Sequence, residues 1–149
     1  MLLLVSYWQQ KAARYCLLAE AALCLGLGRV ALRLLAFRQL VRFFELPPRQ
    51  PEVTGAERTQ LRNEVRWAIS TLERHLPFQT TCFHRAIAAQ AMLRRRKIGA
   101  VMYYGAATMP EKGLSAHVWV RDGDEDVVGC LAAKGYHILA RYPERNPCG

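Results

Sequence analysis

At Gly99 the spacing of apolar residues along this chain changes from three or four to two. Upstream, Leu61, Val65, Ala68, Leu72 and Leu76 recur at intervals that keep them on one side of a helix. Downstream, "AVMYYGA", "SAHVWVR", "DVVGC" and "GYHILARY" are short β-branched or aromatic runs, the pattern of strands. Between the second and third lies "DGDE", a hairpin turn signal. Helices first and strands afterwards predict an α+β fold, N-terminal helices followed by an antiparallel β-meander.

Local signals limit the helices. Residues 9 to about 45, dominated by alanine and leucine, read as one or two helices with Gly26 and Gly28 as a soft point. "ELPPRQPEVTG" then places three prolines within five residues, which no helix accommodates. This break separates a helical segment, 1–46, from a core, 53–149, inside a single domain of 149 residues. Thr54 with Glu57 forms a capping-box pattern that opens the next helix, and Pro77 stops it. Thr80 or Thr81 caps a third helix, which carries Cys82 in its first turn. That helix ends in "RRRK", cations suited to the negative end of the helix dipole, with Gly99 just beyond.

Composition narrows the function classes. A hydrophobic share of 52% supports a packed core without disulfides or metals. The five cysteines are odd in number and contain no CxxC pair, and the four histidines lack ligand spacing with them. A reducing, cytoplasmic setting follows, with no metal and no cofactor expected. The net charge of +9 favours anionic partners, but the arginines are scattered over several helices rather than gathered with aromatics. A solvated basic surface is the reading, with no nucleic-acid partner. The apolar N-terminus is interrupted by Lys11, Arg14, Glu20, Arg29 and Arg33, so no unbroken apolar run reaches the ~20 residues of a spanning helix. It also lacks the order of a signal peptide. It reads as a soluble helix, with peripheral membrane contact as the alternative.

Two residues carry candidate chemistry. A cysteine nucleophile reacts as the thiolate, which a helix N-terminus favours, and Cys82 has that setting. It needs a base within hydrogen-bond reach, and His117 in "SAHVWVR" is the candidate. Strand alternation puts His117, Trp119 and Arg121 on one face, and Ala116, Val118 and Val120 on the other. His84, two residues after Cys82, points away around the helix. The bland alternative is a small buried cysteine and an unconnected strand histidine.

Taken together, "TTCFHRAIAAQAMLRRRKIGAVMYYGAA…LSAHVWVRDGDEDVVGC…YHILARYP", with "AEAAL" and "FRQLVRF" upstream, resembles the transglutaminase-like cysteine peptidases of lasso-peptide biosynthesis. These are stand-alone bacterial leader peptidases with a small papain-like core. The resemblance spans nearly the whole chain. It implies removal of the leader segment from a ribosomally made precursor peptide, through an acyl-enzyme on Cys82 with His117 as base. It also implies two separate partners, a small leader-recognition protein and an asparagine-synthetase-like cyclase. The chain leaves no room for a fused recognition domain, so recognition in trans is expected.

The sequence departs from the family pattern at two places. Related members often read "RRRG" where this chain has Lys97. The second departure concerns the aspartate or asparagine that orients the histidine from the following strand. Pairing the hairpin about Gly123–Asp124 sets His117 opposite Cys130 and Trp119 opposite Val128. A cysteine thus occupies the expected carboxylate position, and a thiol is a poor acceptor. Asp126 is the nearest carboxylate on that strand, a candidate third member, but in this register it faces Arg121. A Cys–His dyad, helped by a backbone carbonyl or water, is the expectation. The competing readings are a non-catalytic scaffold of the maturation complex and a basic helical module binding anionic lipid or nucleic acid.

Overall fold

The structure is a computed structural model that describes residues 2–45, 52–77, 79–110 and 113–144. Helices α1 (Leu2–Leu34), α2 (Phe37–Glu45), α3 (Gly55–Glu73) and α4 (Cys82–Arg95) precede strands β1 (Val101–Met109), β2 (Gly113–Asp122), β3 (Glu125–Val128) and β4 (His137–Tyr142). A 3₁₀ helix, Cys130–Ala133, links the last two strands. The change of period at Gly99 is therefore the boundary between helices and sheet. The proline-rich break at 46–51 lies outside the described residues.

The sheet is antiparallel throughout, in the order β3-β2-β1-β4. Its first three strands form the expected meander, but β4 returns to the β1 edge instead of extending the sheet beside β3. The cause lies at Gly129, where φ of 77° turns the chain out of the ladder and into the 3₁₀ helix. The segment from 129 to 136 then crosses one face of the sheet.

One apolar cluster holds the layers together. Val65, Ala68 and Ile69 of α3, Met92 and Leu93 of α4, and Val118 and Val120 of β2 pack with Leu17, Ala21 and Leu25 of α1. α1 thus packs on the same core as the rest of the chain. It runs unbroken to Leu34, and the helical segment divides at residues 35–36 rather than at Gly26 and Gly28. Gly28 is a contact glycine: a Cβ there would lie 3.4 Å from Ile87 Cγ2, where α1 meets α4.

The helix ends show where local signals held. Thr54 is the N-cap of α3, as expected, yet its side chain makes no capping bond. Gly55, the first helical residue, has φ of 63°, so the chain enters by a different turn from that of a capping box. α4 ends in a Schellman motif, with Lys97 N–H donating to Arg94 O at 3.0 Å and Ile98 N–H to Leu93 O at 3.0 Å. The left-handed residue of that motif is Lys97, with φ of 58°, not Gly99. A non-glycine residue in this conformation costs about 1 kcal/mol.

Candidate functional site

Cys82 is the first residue of α4. Thr81 caps that helix: its hydroxyl accepts from the His84 N–H at 3.5 Å, and His84 Nδ1 accepts from the Thr81 N–H at 3.0 Å. This is a capping box with histidine in the place of glutamate. His84 is consequently a structural residue. Burial, with Arg29 and Arg33 nearby, holds its imidazole below the ordinary range, which keeps Nδ1 free to accept. The Cys82 side chain is half-buried and packs on the core between helices and sheet, next to Phe83, whose ring lies 6.0 Å from that of Tyr104.

β2 carries different chemistry on its two faces. Val118, Val120 and Asp122 turn toward the helices, where the Asp122 carboxylate accepts from Arg58 Nη2 at 2.6 Å and Arg62 Nη1 at 3.2 Å. His117 and Trp119 turn to the other face, under the 129–136 crossover. Trp119 stacks on Tyr103 with ring centroids 5.6 Å apart, and His117 lies between Trp119 and Tyr136, at 6.0 and 5.3 Å. Tyr136 is tied to β2 through its hydroxyl, 3.0 Å from Ser115 Oγ. The crossover therefore buries an imidazole that a bare sheet face would leave exposed.

His117 Nε2 lies 2.8 Å from the Gly129 carbonyl oxygen. A carbonyl only accepts, so Nε2 carries the proton and donates. The lone pair, and with it any base function, is then on Nδ1. Gly129 can hold its carbonyl there because it has no Cβ: one would sit 2.8 Å from Val118 O and 3.2 Å from Trp119 Cβ.

The register explains why no carboxylate fills this place. Around the turn the pairs are Asp122 with Glu125 and Arg121 with Asp126, as expected. A bulge between Val120 and Arg121 then shifts the ladder, so that Val128 faces Val120 rather than Trp119. β3 ends there, and Cys130 does not face His117. Its thiol lies 3.3 Å from Val120 O, and burial, followed by the Asp126 charge, pushes it up to about 11. Asp126 forms an ion pair with Arg121 at 3.0 Å and does not reach the histidine. Among the described residues no hydrogen bond joins Cys82 to His117. The structure brings His117 to Gly129 and packs α4 on the other face of β2, so a strand packed against the Cys82 helix does not hold the imidazole over the sulfur.

Two features escaped sequence reasoning. A backbone carbonyl has no side-chain signature, although the glycine in "VVGC" marked the position. The arginines at the end of α4 also have structural partners: Arg95 and Arg96 pair with Glu20 of α1 at 3.3 and 2.6 Å, and Arg94 donates to Phe43 O. A groove of about 1200 Å³ lies between α1 and α3, bordered by Arg14, Glu20, Trp67 and Arg96, and includes neither Cys82 nor His117. Among the described residues no histidine, cysteine and carboxylate groups cluster as metal ligands would.

A family model described as the transglutaminase-like superfamily matches residues 21–141, from within α1 to β4. No curated protein and no solved structure matches the chain.

Proposed function

The chain belongs to the transglutaminase-like superfamily, which includes cysteine peptidases, and on that premise we propose that it removes the leader segment from a ribosomally made lasso-peptide precursor. Cys82 is the nucleophile and His117 the base. The thiol proton passes to His117 Nδ1 as the sulfur attacks the scissile carbonyl. The N–H of Cys82, in the first turn of α4 where helical N–H groups lack intrahelical partners, faces the developing oxyanion. Collapse of the tetrahedral intermediate forms a thioester with the leader, and the proton on Nδ1 goes to the departing amine of the core peptide. Water then hydrolyses the thioester, with His117 again as base. A separate recognition protein presents the precursor, and an asparagine-synthetase-like cyclase takes up the freed amine.

The observation that carries this reading is the bond from His117 Nε2 to Gly129 O, because it fixes the tautomer a cysteine peptidase needs. The neutral carbonyl takes the orienting role of an aspartate, with less stabilisation of the imidazolium. Proton transfer needs sulfur and Nδ1 about 3–3.5 Å apart, and because His117 lies on the face of β2 turned away from α4, the reading requires precursor binding to bring the imidazole round to Cys82. The test is precursor cleavage, with the recognition protein present, by folded Cys82→Ala and His117→Ala variants. Both are expected to lose at least about 10³-fold in rate. Unchanged cleavage by either variant overturns the assignment of that residue.

A second reading, a non-catalytic scaffold of the maturation complex, is favoured by the missing Cys82–His117 bond and by the lack of a carboxylate on His117. It expects Cys82 to react with a mild alkylating agent no faster than exposed Cys16. Selective alkylation of Cys82 near neutral pH, read by peptide mass, counts against it.

A further inference from the structure

α1 turns Leu17, Ala21 and Leu25 toward the protein body. With 3.6 residues per turn, the opposite side presents Trp8, Tyr15, Leu23, Leu27, Val30 and Leu34. All six are exposed, Leu23 at 60%, Leu27 at 58% and Leu34 at 77%. Their stripe runs for about 40 Å along the helix. Scattered exposed leucines need no explanation, but a continuous stripe does.

The charges around the stripe select its occupant. Lys11, Arg29 and Arg33 border one edge, and exposed Arg38 and Arg42 continue the cationic surface along α2. Between residues 7 and 42 the one carboxylate is Glu20, which is held by Arg95 and Arg96. A second copy of the chain would bring two such cationic edges together, and like charges across an interface cost several kcal/mol. A surface of lipid phosphates complements them. Trp8 and Tyr15, at one end, are of the type that sits at headgroup level.

We propose that α1 docks flat on an anionic phospholipid bilayer, its outward stripe in the acyl boundary and Lys11, Arg29 and Arg33 against the phosphates. By length and composition alone α1 could cross a membrane. Its inner side packs on α3 and α4, however, which holds it in the interface instead. The docking does not rest on the peptidase reading, and its test uses no peptide.

The experiment is sedimentation of the full chain with phosphatidylcholine vesicles, with and without phosphatidylglycerol. Binding is expected with phosphatidylglycerol and is expected to weaken as salt rises. The double variant Leu23→Glu with Leu27→Glu changes only exposed positions. It is expected to keep the wild-type circular dichroism and to lose at least about tenfold in vesicle binding. Lys11→Gln with Arg33→Gln is expected to lose about fivefold for each charge removed. Equal binding to both vesicle types overturns the proposal, as does no binding to either. A concentration-dependent dimer without lipid that the leucine variant abolishes assigns the stripe to a second copy and also overturns it.

Discussion

The two faces of β2 solve the same problem, a buried polar side chain, with different partners. On the helix side Asp122 is a buried carboxylate held by Arg58 and Arg62, with Glu52 completing the cluster through Arg58 at 2.9 Å. The cluster is charged, bidentate and bound to α3. On the crossover side His117 has a single neutral acceptor, Gly129 O, and two aromatic rings, Tyr103 and Tyr136, flank it and Trp119. The first arrangement fixes a strand against a helix. The second fixes a tautomer and leaves one nitrogen open. A structural ion cluster and a reactive imidazole need opposite treatment, and strand alternation puts Asp122 and His117 on opposite faces of β2.

The largest effect that separates the faces is expected from Asp122→Asn. Replacing the buried carboxylate leaves Arg58 only Glu52, at 2.9 Å, and Arg62 only exposed Glu125, at 3.6 Å, so a loss of about 2–3 kcal/mol in denaturant unfolding is expected. A loss below about 1 kcal/mol would mean that the helix-side face is not held by charge. Gly129→Ala attacks the other face. Its φ of 77° and the contact a Cβ makes with Val118 O give an expected loss of about 2 kcal/mol. Cleavage should fall further than in a distant variant of equal stability, because the His117 acceptor moves. Equal activity in the two would remove the carbonyl from the account.

Smaller effects sharpen the picture. His84 is held neutral in the α4 cap, so its folded value lies below its unfolded one. Its contribution is complete above about pH 6.5 and is lost as pH falls through the folded value. Unfolding measured from pH 7 to 5 should show that decline, and His84→Gln, which keeps an acceptor at the same position, should flatten it. A slope unchanged in His84→Gln would assign the decline to other groups. The smallest effect belongs to Asp126→Asn. Its exposed pair with Arg121 is worth under about 0.5 kcal/mol, and cleavage should be unaltered. A large loss of cleavage would restore Asp126 as a third catalytic member.

Much of this arrangement was legible in the sequence because hydrophobic period reports burial directly. The apolar stripe of α3, the helix beginning at Cys82, the strands after Gly99 and the faces of β2 all follow from spacing alone. So did the Arg121–Asp126 pairing, set by the turn beside it. What was hidden involves a single-residue change or a distant partner. The bulge after Val120 slips the ladder by one residue, which separates Cys130 from His117. The left-handed Lys97 has no glycine to announce it. The return of β4 to β1, and the pairing of Arg95 and Arg96 with Glu20, depend on contacts between segments far apart in sequence. Gly129 O escaped because a backbone acceptor is placed by φ and ψ, not by residue type.

The most direct test of the account is the mass of the Cys82 peptide after brief mixing of the chain with precursor and its recognition protein. A thioester between Cys82 and the leader is expected, absent in Cys82→Ala, together with release of a core peptide bearing a free α-amine. Full cleavage by folded Cys82→Ala, or a leader acyl group found on any other residue, would contradict it.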